Sequence, residues 1–137
     1  MSIQSTQQKV LFLTLKKKWF DMILEGVKKE EYREIKEYWI KRLVREQYQH
    51  HFWDMIDGKT AIPNDLYKDY THITFKNGYS VFAPEFTIEM KGVKVGLGVD
   101  DWGAGYGRTF ILTLGYIVSY KVLKPTIINH DKSKTSD

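Results

Sequence analysis

Between Lys9 and Ile35 the pattern of apolar residues changes period twice, and this double change narrows most what the chain can build. "KVLFLTL", Lys9 to Leu15, is a nearly continuous apolar run, as expected of a buried strand. "KKKWFDMILEG" follows, with Trp19, Phe20, Ile23 and Leu24 on one side at helical spacing and Gly26 placed to end the helix. Then "EEYREI" alternates, so Glu31, Arg33 and Ile35 share one face of a strand while Glu30, Tyr32 and Glu34 share the other.

Downstream, Ile40, Leu43, Val44, Tyr48, Phe52, Met55 and Ile56 keep helical periodicity from about Glu37 to Asp57, with Gly58 as a stop. This predicts the longest helix. "HITFKNGYS" carries Asn77-Gly78 at a hairpin turn, and "VFAPEFTIEMKGVKVG" is a strand in which Pro84 marks an edge or bulge. A glycine-rich loop, "GVDDWGAGYGR", leads into the long strand "TFILTLGYIVSYKVL", with a bend expected at Gly115. Helices and strands do not alternate regularly and the later links are hairpin-sized, which disfavours a doubly wound sheet. The prediction is an α+β fold, a small β-barrel of about five or six strands with a short helix after strand 1 and a longer inserted helix.

The 137 residues suffice for one domain, 1–137, with polar tails at about 1–8 and 130–137. No cysteine is present, which excludes disulfides and thiolate zinc sites and is compatible with a reducing compartment. No apolar run approaches a bilayer span, and "MSIQSTQQK" lacks the apolar core of a signal peptide. A cytoplasmic protein without a membrane partner is therefore expected. His50 and His51 diverge on a helix, so no metal is expected. "GAGYGR" precedes a strand rather than a helix, so it is not a phosphate loop, and no cofactor is expected.

A net charge of +4 favours polyanions weakly. On the alternating strand, Glu31 and Arg33 stand about 7 Å apart at their alpha carbons, and Lys28 at the preceding corner can reach the same place. The plain alternative is that Glu31 and Arg33 form an ion pair that only orders the corner. Lys16 to Lys18 are candidate phosphate contacts, with a solvated helix start as the alternative for Lys17 and Lys18. Trp19, Trp39 and Trp53 fall in helical patterns and are assigned to core packing. Trp102 differs, because it lies in the glycine-rich loop beside Asp100 and Asp101, where no periodicity requires an aromatic.

The strand, the helix and the Gly-x-Lys-x-x-Glu-x-Arg pattern at Gly26, Lys28, Glu31 and Arg33, with Lys16 at the basic position after the strand, resemble the N-terminal signature of the ASCH superfamily, a branch of the PUA-like barrel folds. "REIKEYWIKRL" is similar to a subgroup of small bacterial and phage members, and "FILTLGYIV" to the closing strand of the family. The likeness covers about the first third of the chain well and constrains Gln47 to Asp69 poorly. It implies nucleic-acid or nucleotide binding, RNA ahead of DNA, in a basic cleft lined by Lys16, Lys28, Arg33 and Trp102, with Glu31 orienting Arg33 or accepting from a base. Some similar proteins release acetate from acetylated cytidine with the motif lysine, a threonine and a distal glutamate. Lys28 matches that lysine, but the threonine position aligns with Glu31. The alternative is thus a small hydrolase acting on a modified nucleoside or on RNA, with Lys28 as base and Glu31 or Asp101 as acidic partner.

Overall fold

The computed structural model describes residues 7–122. The tails expected at 1–8 and 130–137 thus lie outside the described residues, apart from Gln7 and Gln8. Five strands, β1 (Val10–Thr14), β2 (Glu30–Arg33), β3 (His72–Lys76), β4 (Glu85–Gly96) and β5 (Thr109–Lys121), form one mixed sheet in the order β1-β3-β4-β5-β2. β1 pairs parallel to β3, and the other three pairings are antiparallel. The sheet curls into a half-barrel, with α1 (Lys17–Leu24) after β1 and short helices inserted before β3. This is the α+β class expected. Register shifts along β4 at Thr87/Ile88, Ile88/Met90 and Met90/Gly92 increase its bend.

The core lies inside the curl. Phe20 from α1, Phe75 from β3, Phe86 from β4 and Phe110 from β5 are at most 2% exposed, and Phe52 from the inserted helices is buried with its ring 5.4 Å from that of Phe110. Burial of these side chains in the contiguous cluster supplies the main driving force for folding.

The longest expected helix is present as three short ones: α2 (Glu37–Leu43), α3 (Glu46–Gln49) and α4 (Phe52–Ile56). The first break has a tertiary cause. Val44 is fully buried and extended (φ −98°, ψ 138°) and bridges to Tyr67. On either side, the Arg45 amide donates to the Leu66 carbonyl at 2.9 Å and the Lys68 amide to the Leu43 carbonyl at 2.8 Å. Two sheet-like bonds to a distant segment thus replace continuation of the helix. The β3–β4 hairpin is present as well, but its loop runs from residue 77 to 84, and β4 starts at Glu85, after Pro84, rather than at Val81. Gly78 adopts φ 106°, which a side chain would strain. No helix among the described residues is long and apolar enough to cross a membrane.

β1 and β2 are the two sheet edges, and α1 carries the chain from one to the other. Arg33 on β2 donates to the Thr14 carbonyl of β1 at 3.4 Å, so the edges approach each other at this end. The candidate site lies in that gap.

Candidate functional site

Gly26 fixes where the motif begins. With φ 82°, it follows the end of α1, and its amide bonds to Ile23 at 3.0 Å while Val27 bonds to the Met22 carbonyl at 2.9 Å. These bonds form a Schellman cap. The Lys28 amide also reaches Met22, at 3.0 Å, so the cap turns the chain sharply inward and aims Lys28 beneath the helix it has just left.

Lys28 is only 2% exposed. Its ammonium lies 3.2 Å from Glu31 Oε1 and donates to the Trp102 carbonyl at 2.5 Å. The faces of Tyr32 and Trp19 flank it, with centroids at 4.6 and 5.1 Å. Burial pulls the Lys28 pKa below the ordinary lysine value, because water is withdrawn from the charged form; Glu31 opposes that shift and Arg33 adds to it.

Glu31 is 5% exposed and bridges two cations, since its Oε2 lies 3.0 Å from Arg33. The strand alternation predicted that Glu31 and Arg33 would share a face, and they do. Arg33 also packs over the Trp39 ring at 5.0 Å, and its buried Nε has no partner.

Together with Lys16, Trp19, Trp102 and Tyr79, these side chains line a cleft of about 620 Å³. The volume is within the range of small-ligand sites. Lys16 is exposed and enters none of the ion pairs among the described residues. Lys17 instead pairs with Asp21 at 2.6 Å, as befits a solvated helix face. The four motif cations and acids, Lys16, Lys28, Glu31 and Arg33, thus meet in one place.

Two expected roles take a different form. Lys28 belongs to the cleft floor, with its charge committed to Glu31 and Trp102, and does not project as a phosphate contact. Asp101 is exposed and does not line the cleft, because the 3-10 turn Asp100–Trp102 turns the Trp102 carbonyl, rather than the Asp101 carboxylate, toward Lys28. The carboxylate beside Lys28 is Glu31.

Trp19, assigned to the core by its helical spacing, is half-buried, packs against the core and also forms a cleft wall. A Cβ on Gly103 would lie 2.8 Å from its ring, so the glycine-rich loop packs directly on this tryptophan. The Tyr32 hydroxyl is held by two bonds, donating to Glu30 at 2.7 Å and accepting from the Val99 amide at 3.0 Å. Burial raises its pKa to about 12. Tyr79, 89% exposed on the β3–β4 loop, completes the rim. An aromatic residue directly after the Asn77-Gly78 turn is the sequence signal that could have found it.

The chain matches no family model, no curated protein and no solved structure.

Proposed function

We propose that the protein is an ASCH-like, PUA-like domain whose cleft binds single-stranded nucleic acid or a nucleotide, RNA ahead of DNA. The observation that carries this reading is the meeting of an uncompensated cation, Lys16, with aromatic side chains in one cleft of about 620 Å³. A base stacks on an aromatic face whatever its identity, while a nearby cation takes the phosphate. Arg33, whose guanidinium is held by Glu31 and the Thr14 carbonyl, keeps further N–H groups for a phosphate or base edge. The motif spacing of Gly26, Lys28, Glu31 and Arg33 and the curled sheet support the family assignment.

Binding of a labelled oligoribonucleotide is expected to be weak and to fall with salt. Lys16→Ala should reduce the slope of log affinity against log salt by about 0.7, the share of one phosphate contact on a single strand. Lys28→Ala should not change the slope in that way, since its charge is already compensated by Glu31. Absence of binding in a fluorescence titration at low ionic strength would remove the reading.

A second reading, hydrolysis of a modified nucleoside with Lys28 as base, has one observation in its favour: burial lowers the lysine pKa at the cleft floor. Against it, the ammonium already meets Glu31 and a carbonyl, whereas a base must present a lone pair to the proton it removes. Native protein is expected to release no acetate from acetylcytidine. Turnover that disappears in Lys28→Met would reverse this ranking.

A further inference from the structure

The cleft has a neighbour. A second cavity, of about 310 Å³, lies along the outer edge of β1 and shares Thr14, Arg33 and Tyr79 with the first. The two form one groove, with Arg33 at the junction.

Three features of the second cavity need a cause. Arg33 and Arg42 flank the same indole, their guanidinium carbons 5.0 and 5.4 Å from the Trp39 centroid. Arg42 also lies over Tyr38 at 5.6 Å and donates to its hydroxyl at 2.9 Å and to the Phe12 carbonyl at 3.4 Å. Like Lys16, it enters none of the ion pairs among the described residues. The third feature is Phe12. β1 alternates Leu11 and Leu13 into the core, so Phe12 occupies the outward position where a polar residue is usual, and it is 66% exposed.

We infer that the second cavity is a subsite for the adjoining nucleotide of a single-stranded nucleic acid, with Phe12 as a stacking face and Arg42 as a phosphate or base-edge contact. This inference rests on the proposed function of the first cleft. Each cavity has an uncompensated cation, Lys16 in one and Arg42 in the other, and aromatic side chains line both. A mononucleotide fills only one of these positions. A chain of two or more nucleotides places a base and a phosphate in each, which is the pattern of a groove that tracks a strand. Arg42 is also preoriented, because its bonds to Tyr38 and to the β1 edge leave N–H groups free while fixing the guanidinium plane.

The test compares uridine monophosphate with fluorescein-labelled tri-uridylate, the mononucleotide measured by competition, and repeats the trimer as its deoxy form. Native protein should bind the trimer at least about tenfold more tightly than the monophosphate, since one further stacked base is worth that much. Phe12→Ala and Arg42→Ala should each lower trimer affinity about tenfold and leave the monophosphate unchanged, whereas Lys16→Ala should weaken both ligands. Phe12 is exposed, so its truncation leaves the fold intact, as an unchanged melting temperature would verify. Loss in the RNA trimer alone identifies RNA as the source, and loss in both trimers identifies single strands in general. If the native protein binds the trimer but neither variant weakens it, the second subsite is wrong and the first cleft stands. If neither ligand binds at low salt, the function of the first cleft is wrong and the subsite falls with it.

Discussion

Glu31→Leu is expected to destabilise the protein by about 3–5 kcal/mol, the usual result of leaving one member of a buried ion pair without its partner. The Lys28 and Glu31 side chains are 1% and 7% exposed, so water cannot replace the lost carboxylate without opening the site. The variant keeps roughly the side-chain volume and removes both oxygens, isolating the charge effect from a cavity. The effect has a pH signature. Burial already lowers the Lys28 pKa, and Glu31 is the largest influence opposing that shift. Without Glu31, the folded protein gives up this proton at a still lower pH, while the unfolded chain keeps it up to the ordinary value of 10.5. In that window the unfolded state binds more protons, so stability must rise with pH. The deficit of Glu31→Leu should therefore be full below the folded pKa of Lys28 and should shrink as pH climbs toward 10.5. Adding Lys28→Met should recover much of the loss, leaving a cost of about 1–3 kcal/mol for the unsatisfied Trp102 carbonyl. Urea unfolding at several pH values measures all of this, and a Glu31→Leu deficit under about 1 kcal/mol, flat with pH, would show that the pair is well solvated.

This coupling bears on the motif itself. A threonine at position 31 would remove the carboxylate 3.2 Å from a buried ammonium. Glu31→Thr should thus be unstable at neutral pH before any activity is assayed. Within the Gly-x-Lys-x-x-Glu-x-Arg spacing, Lys28 and Glu31 fasten the loop and the strand, and Arg33 lies where the two cavities meet. The alternative of an ion pair between Glu31 and Arg33 is present as a 3.0 Å contact, and Lys28 joins it from the other carboxylate oxygen. It does not account for Lys16 or Arg42, which enter no ion pair among the described residues.

What the sequence made legible was local. Alternation over "EEYREI" placed Glu31 and Arg33 on one face, and Gly26 marked the end of α1, because both follow from backbone geometry. The burial of Lys28 was not legible, since it depends on a carbonyl 74 residues away. Trp19 shows what side-chain pattern alone leaves out at a site: helical spacing put it on the inner face of α1, where it packs against the core beside Phe20 and Ile23, but it lines the cleft as well. The helix break at Val44 left no mark either. No glycine or proline stands there, the apolar period runs on unbroken, and the pairing with residues 66–68 overrides it.

The glycine-rich loop provides the second large effect. Gly98→Ala is expected to cost about 1–3 kcal/mol, in the range of overpacked sites, and to abolish nucleic-acid binding. A Cβ at this position would overlap Tyr32 Cε1 and lie 2.6 Å from the Ala104 Cβ. Neither neighbour can yield cheaply. Tyr32 is anchored by Glu30 and the Val99 amide, and the Ala104 Cβ is fixed to its own backbone. The loop must therefore move as a body, and with it the Trp102 carbonyl that holds Lys28 and the Gly103 backbone that packs on Trp19. Displacing that contact disturbs a cleft wall even though Gly98 does not line the cleft. Gly92→Ala serves as the control: a Cβ there meets nothing within 4 Å and the backbone has no positive φ, so it should bind and melt like the native protein. Urea unfolding and titration with labelled RNA, run on both variants, separate the outcomes. If Gly98→Ala matches Gly92→Ala in both measurements, the loop is not seated on Tyr32 and Trp19 in solution, and Trp102 is not what holds Lys28 in the floor of the cleft.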